Sequence, residues 1–565
     1  MKTKYIFLAA LCIWTGVSCS LEEQSYTDVD RLSFIKDAPS AERVLLGVYQ
    51  QMGTDGIYRR NLSLVLALPT DEAKVEGASL VGVREQGSNA YTNSDSYVQD
   101  TWAALYSGIY KANAFLETMT SSMNSVPPTD QPLCECYLAE ARVLRALYYF
   151  ELVRWFGHVP LVTKTQESYL VPGEMKQADA EDVYEFIGSE LEAAAAVLPW
   201  AVDDVLRKDN AFRISKGSAL GLLTRVYVTW AGYPLQDESK WDRAVEAAAK
   251  VIVSGKHSLL EDYEQLWKNS ANNVWAPEES LLEVSFYAPG SNGGSSGRIG
   301  KWNGVIAQQG SIKGSYNLAM YRVHPTFPES WKDRAQDRRW AISFADYRYL
   351  PSGREGIASA TIGGEKTQIT LEMAIDKGTP QWRPEWRAGF NQLITPAKWD
   401  IEKYVRDDNQ LADRDYSNEN WYVMRYADLL LLYAEALNEA DGGPSSEAYD
   451  AINQVRRRGF GLSISEPSPL ADLPAGLTQE EFRQAVRDER SYELAFEGQR
   501  RCDLVRWGIY VPTIRSVYKS LMKWHEAAPD YFIGAQYTQE GKNELLPIPL
   551  REVDLCGYQQ NPNWM

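Results

Sequence analysis

The sequence is short of the residues that carry most enzyme chemistry. Its four histidines, His158, His257, His324 and His525, are scattered through 565 residues. No H-E-x-x-H pair occurs among them, which excludes a helix-borne zinc hydrolase of that kind. Six cysteines give no Cys/His quartet with zinc spacing. Cys134 and Cys136, two apart on a predicted helix, face different ways and share neither a bond nor a metal. For Cys502 and Cys556 buried free thiols are expected, with a disulfide between them the alternative in an oxidising compartment. Phosphate-cradling and EF-hand loops are missing as well. No cofactor is expected; a structural calcium ion stays open on acid content alone, but no ligand loop is legible. Positive charge is in deficit: the formal charge is −18, with no long basic run. Such a chain repels a phosphate backbone, so nucleic acid is excluded as a partner. No apolar run reaches the length of a transmembrane helix.

Two enzyme motifs fail on context. Gly293-Gly294-Ser295-Ser296-Gly297 matches G-x-S-x-G, but it lies in a Gly/Ser-rich run rather than in a strand–turn–helix elbow. Acidic residues are plentiful, yet nothing singles out a glycosidase carboxylate pair.

The first apolar run, 5–17, follows Lys2 and Lys4 and ends in Gly16, Val17 and Ser18 before Cys19. A basic start, a short apolar stretch and small residues ahead of a cysteine resemble a lipobox. Residues 1–18 are therefore expected to be a removed signal, Cys19 the acylated residue and 19–38 a tether. The membrane link is then a lipid anchor.

What is abundant is tryptophan, 18 residues, and amphipathic helical pattern. Apolar positions stepping by three and four predict helices over 41–52, 97–119, 133–156, 182–198, 215–230 and 241–254. Short connections between them suggest antiparallel pairs stacked as a TPR-like solenoid. From 269 to 421 the period is lost. One strand is expected at 283–287, and Trp302, Trp331, Trp340, Trp382, Trp386 and Trp399 crowd the segment. Helix returns at 422–440, 446–459 and 478–508, the last opened by the capping box Thr478-Gln479-Glu480-Glu481. The expected fold is mostly α, a helical-pair scaffold (39–268 and 422–526) carrying an irregular aromatic-rich insert (269–421) and an irregular end (527–565).

Several motif-like blocks lie along the chain. They are Trp102-x3-Tyr106-x2-Ile109-x3-Asn113, Glu140-Ala141-Arg142-x2-Arg145-x2-Tyr148, and Trp155-Phe156-Gly157-His158-Val159-Pro160. Arg425-Tyr426-Ala427-Asp428 runs into Leu432-Tyr433-Ala434-Glu435-Ala436-Leu437-Asn438. The most distinctive block is Glu489-Arg490-x2-Glu493-Leu494-Ala495-Phe496-Glu497-Gly498-x-Arg500-x2-Asp503-Leu504-x-Arg506-Trp507-Gly508. Together these blocks resemble the SusD/RagB family of outer-membrane nutrient-binding lipoproteins, with Asp428 where the family usually has Glu. The resemblance implies a cell-surface lipoprotein that binds oligosaccharide as a lid on a TonB-dependent, SusC-like barrel in the outer membrane. The acidic Glu22-Glu23 behind Cys19 resembles the surface-export signal of bacteria carrying this family. The rivals are a RagB-like peptide binder, which would show a deep charge-lined cleft, and a surface glycosidase.

The motif charges Arg425, Glu435, Glu493, Glu497, Arg500, Asp503 and Arg506 are expected to be structural. Glu497 with Arg500, and Asp503 with Arg506, sit three apart on one helix face. Ligand chemistry needs aromatic rings beside short polar groups on loops. Two loops have that mix. The first, 69–97, offers Asp71, Arg84, Tyr91 and Asn93; the second, 287–316, offers Trp302, Asn303 and Tyr316. Lipidation is checked directly: Cys19→Ala should shift the full-length chain from the membrane to the soluble fraction of an outer-membrane-bearing host, read by fractionation.

Overall fold

The computed structural model describes residues 34–77, 79–165, 174–287, 295–311, 317, 319–378, 380–406, 415–526 and 532–564. Cys19, Tyr316 and the glycines Gly293 and Gly294 lie outside them.

The protein is mostly α-helical. Helix α1 (Ala38–Tyr49) starts where Asp37 accepts from the Ser40 amide at 2.8 Å. Helix α2 (Ser96–Ser122) is capped by Asp95, and α3 (Gln131–Phe156) stops at Gly157, whose φ of 72° a side chain would resist. Then come α4 (Ala180–Val197), α5 (Lys216–Ala231), opened by a Ser215–Ser218 capping box, and α6 (Lys240–Val253). From α2 to α6 each helix packs against the next, the arrangement that short connections impose. After α7 (Tyr263–Ala271) the array closes with α8 (Tyr426–Ala440), which packs on α5, α6, α9 (Ser446–Gly459) and α10 (Gln479–Glu493). Helices α11 (Arg500–Arg506) and α12 (Tyr510–Trp524) follow.

Ten short strands form five two-stranded antiparallel sheets among the described residues. They are β1 (Ala73–Val75), β2 (Ser280–Val284), β3 (Tyr321–Val323), β4 (Phe344–Ala345), β5 (Tyr347–Leu350), β6 (Gly353–Gly356), β7 (Ala358–Ile362), β8 (Glu365–Ile369), β9 (Thr395–Pro396) and β10 (Trp421–Arg425). The pairs are β1–β3, β2–β10, β4–β9, β5–β6 and β7–β8.

Three expectations are corrected. Residues 422–425 are strand, not the start of a helix. All five residues of β10 are buried, and aromatic and β-branched side chains suit a strand covered on both faces. The 478–508 helix is broken: α10 ends at Glu493, Phe496 and Gly498 take positive φ (64° and 72°), and α11 starts at Arg500. A Cβ on Gly498 would lie 2.9 Å from the Trp421 ring, so the turn presses on β10 too closely for any other residue. Lastly, the strand expected at 283–287 is β2, at Ser280–Val284. The tryptophans that crowd the insert are largely core. Trp302, Trp331, Trp386, Trp399 and Trp421 are buried, Trp340 and Trp382 half-buried, and no described tryptophan is exposed. Cys134, Cys136, Cys502 and Cys556 are free thiols, and burial pushes Cys134 up to about 11 and Cys136 to about 12.

The break in the 478–508 segment redirects its charges into a buried network. Arg425 meets Glu497 at 2.9 Å, Glu493 at 2.8 Å and Glu279 at 3.1 Å. Arg458 adds Glu279 at 3.0 Å and Glu493 at 2.7 Å; Arg339 adds Glu489 at 2.6 Å and Glu493 at 3.0 Å; Lys398 reaches Glu497 at 2.8 Å. A second network runs from Arg225 through Asp428, Arg490 (2.7 Å), Asp503 (2.9 Å) and Arg506 (2.9 Å) to Glu435. Asp503 and Arg506 pair three residues apart. Glu497 and Arg500 do not: the turn between them sends Glu497 to Arg425 and Arg500 to Asp71, at 2.7 Å.

Burial alone would raise the Glu493 carboxyl, but Arg458, Arg425 and Arg339 outweigh it and hold it well below the usual range. Asp428 is held down in the same way by Arg225 and Arg490. Two outcomes are expected. Arg425→Met, which takes one cation from each of three buried carboxylates, should cost about 3–5 kcal/mol in urea unfolding; a loss under ~1 kcal/mol would contradict the role of the network. Carboxylates depressed in the folded state contribute stability that is present above the unfolded pKa near ~4 and lost as pH falls through the folded values. Thermal midpoints should therefore drop as pH falls below about 4, and less steeply in Asp428→Asn.

Candidate functional site

Around residue 55 the chain turns tightly between α1 and α2. A Cβ on Gly56 would lie 2.6 Å from Ala104 Cβ and 2.7 Å from the Asp100 carbonyl, so only glycine lets the turn lie on α2. This turn presents Asp55, Arg59 and Arg60. Across from it, Gly297 and Ser417 exchange backbone hydrogen bonds at 2.8 and 3.0 Å, and Gly297 lies flat on the Phe286 ring. That contact sets Arg298 and the short helix Ile299–Trp302 beside Tyr416.

The resulting cluster alternates rings and charges. Arg298 donates to Asp55 at 3.0 Å and to the Tyr416 hydroxyl at 2.9 Å. Its guanidinium lies 4.4 Å from the Tyr416 ring centroid and 5.8 Å from that of Trp302. Arg59 lies 4.9 Å from the Tyr416 ring and Arg60 4.8 Å from the Tyr97 ring. Both reach Asp55 at 3.6 Å. Burial works to raise the Asp55 carboxyl, but the hydrogen bond and charge of Arg298, with Arg60 and Arg59, bring it below its ordinary value. Asp55 keeps 33% of its side chain exposed, and Tyr97 and Tyr416 are half-buried. Chemically this is a surface of aromatic rings overlaid by guanidinium groups beside a carboxylate, whose donors and acceptor suit paired hydroxyls.

The two predicted loops reach this cluster at Tyr97, Arg298 and Trp302, of which Trp302 alone was named as a candidate contact. Trp302 is 9% exposed, at the inner edge. The other predicted residues lie elsewhere. Tyr91 is buried and stacked on Trp564 at 5.1 Å, and Asn93 packs against the Trp564 backbone. Asn303 is fully buried and donates to the Phe496 carbonyl at 3.0 Å. Arg84 pairs with Glu76 at 2.6 Å, and Asp71 binds Arg500. Tyr91 and Asn303 are thus corrected to scaffold, because a side chain with 3% or less of its surface exposed has none to offer a ligand. Asp55, Arg59, Arg60, Arg298 and Tyr416 were missed. An arginine pair beside Tyr58 was the sole local hint; their meeting depends on contacts some 240 residues apart. No group of three or more His, Cys, Asp or Glu placed to hold a metal exists among the described residues.

A SusD family model matches residues 258–564, and a second model, described as starch-binding associating with outer membrane, matches 26–228. The chain belongs to the SusD family. SusD-like protein P25 of Formosa agariphila is 25% identical over 98% of this chain and 97% of its own. The starch-binding protein SusD of Bacteroides thetaiotaomicron is 24% identical over 98% of each. A crystal structure of a SusD homolog from Bacteroides thetaiotaomicron, 47% identical, superposes with a TM-score of 0.89 over 96% of this chain and 100% of that one. A laminarin-binding SusD-like protein, 26% identical, gives 0.66 over 94% of this chain and 100% of that one. In this SusD-family chain the cluster joins the two matched regions: Asp55, Arg59, Arg60 and Tyr97 come from residues 26–228, and Arg298, Trp302 and Tyr416 from residues 258–564.

Proposed function

We propose that the protein is a non-enzymatic glycan-binding lipoprotein, held by an acylated Cys19 on the outer face of an outer membrane. It captures oligosaccharide and delivers it to a TonB-dependent, SusC-like transporter. The starch- and laminarin-binding relatives support the ligand class. The observation that carries the reading is the convergence of Tyr97, Trp302 and Tyr416 with Arg59, Arg60, Arg298 and Asp55 at one surface. Ion pairing fixes the guanidiniums against the rings before any ligand arrives, which limits the ordering cost of binding. The hydroxyl rim of a sugar would find both donors and an acceptor beside the rings.

The test is native affinity electrophoresis of residues 20–565 against a polysaccharide panel and a protein digest. Retardation by one glycan class is expected, weakened at least about tenfold in Tyr416→Ala and Tyr97→Ala, as for the loss of a ring worth ~1.4 kcal/mol or more. A variant of the buried ring, Tyr91→Phe, should bind as the wild type does. Binding of the digest alone would favour the peptide reading, and unchanged retardation in both ring variants would move the site elsewhere.

A further inference from the structure

The arginines of α10 and α11 are paired almost without exception. Arg483 holds Glu439, Arg490 holds Asp428 and Asp503, Arg500 holds Asp71, and Arg506 holds Glu435. Arg501 donates to the carbonyls of Leu66, Leu68 and Asn543. Arg487 is different. Among the described residues its guanidinium makes no hydrogen bond and no ion pair, and its Nε is buried without an acceptor. It lies 5.2 Å from the Trp507 ring centroid, and Arg500 and Arg506 also lie against that ring. Trp507 is itself fixed by donating to Glu435 at 2.7 Å. Burial pushes the Arg487 guanidinium down from the ordinary arginine value, with Glu435 the largest charge opposing that shift. A half-buried cation with idle donors is costly unless something accepts from them.

Arg487 also lines a cleft of about 320 Å³, large enough for a single sugar or a short peptide end. Lys332, Gln484, Ser491, Trp507 and Thr513 line the same cleft. Its other charges cancel in pairs: Asp71 with Arg500, and Lys332 with Asp488 at 2.5 Å. The cleft therefore keeps one uncompensated positive charge on a protein whose net charge is −18. A planar guanidinium whose fork is not occupied matches a carboxylate, two N–H groups to two oxygens.

We propose that this cleft is a second ligand site, separate from the aromatic cluster, in which Arg487 binds the carboxylate of an incoming ligand while Trp507 holds the guanidinium in place. Two sources carry that group: a uronic acid residue of a glycan, or the C-terminal carboxylate of a peptide. The site does not depend on the glycan reading of the aromatic cluster.

The experiment is calorimetric or NMR titration of residues 20–565 with glucuronic acid, with N-acetyl-dialanine and, as the neutral control, with glucose. One of the two carboxylates is expected to bind saturably and in a salt-sensitive way, with glucose showing nothing at this cleft. Arg487→Gln should weaken that binding at least tenfold and Arg487→Lys less, while the neutral-glycan retardation stays unchanged. Gln484→Glu keeps the arginine but places a carboxylate one helical turn before it, and should also abolish binding. The acid that binds names the source. The proposal is overturned if neither acid binds saturably, or if Arg487→Gln and Gln484→Glu bind as the wild type does. Tyr416→Ala should leave the acid titration unchanged, so failure of this site and failure of the glycan reading are told apart.

Discussion

Arg425 is the charge around which this protein is organised. It ends β10, opens α8 and meets three carboxylates from two distant stretches, Glu279 on one and Glu493 with Glu497 on the other, while itself almost fully buried. Removing such ions from water costs several kcal/mol each, and the interior repays it only when every partner is in place. The network therefore acts as an all-or-none condition on the fold. The end of α10, the turn through Gly498, the β2–β10 ladder and the start of α8 must all register at once. Gly498 is the geometric half of the same constraint, because only a glycine lets that turn lie against Trp421.

The consequences reach the surface. The turn that delivers Glu497 to Arg425 also starts α11, whose Arg500 draws Asp71 and hence the start of the early loop against the C-terminal helices. The Phe496 carbonyl in that turn accepts from Asn303, which anchors the segment just after Trp302. So the buried charges set the depth of the second predicted loop, and Arg298 and Tyr416 take up their positions over the turn at Asp55. The aromatic cluster and the Arg487 cleft lie on one scaffold, but they are built differently. In the first every charge is paired and the rings offer the contact; in the second the one unpaired charge offers it.

Much of the scaffold was legible in the sequence because helices announce themselves locally. Thr478 caps the helix it precedes, as its capping box predicts, whereas Asp37 starts α1 three residues ahead of the expected bound. Where the reading failed, a distant partner decided. Residues 422–425 carry an apolar pattern that a helix or a buried strand satisfies equally, and β2 settles it. Leu494 to Gln499 contains one glycine inside a strongly helical context, and the demand of Arg425 for two carboxylates breaks it. The candidate loops were chosen by composition, which does not distinguish a ring facing solvent from Tyr91, whose ring lies flat against Trp564.

By itself the sequence determined the helical class, the approximate places of the helices and membership in a family. These follow from periodicity, capping and motif spacing, all of them short-range. Only the tertiary structure decided which tryptophans are core, which charges pair, and which rings and arginines meet at the surface. Pairing energy between buried charges and contact between rings depend on separations in space, and residues 55, 97, 298 and 416 have no separation in space until the chain has folded.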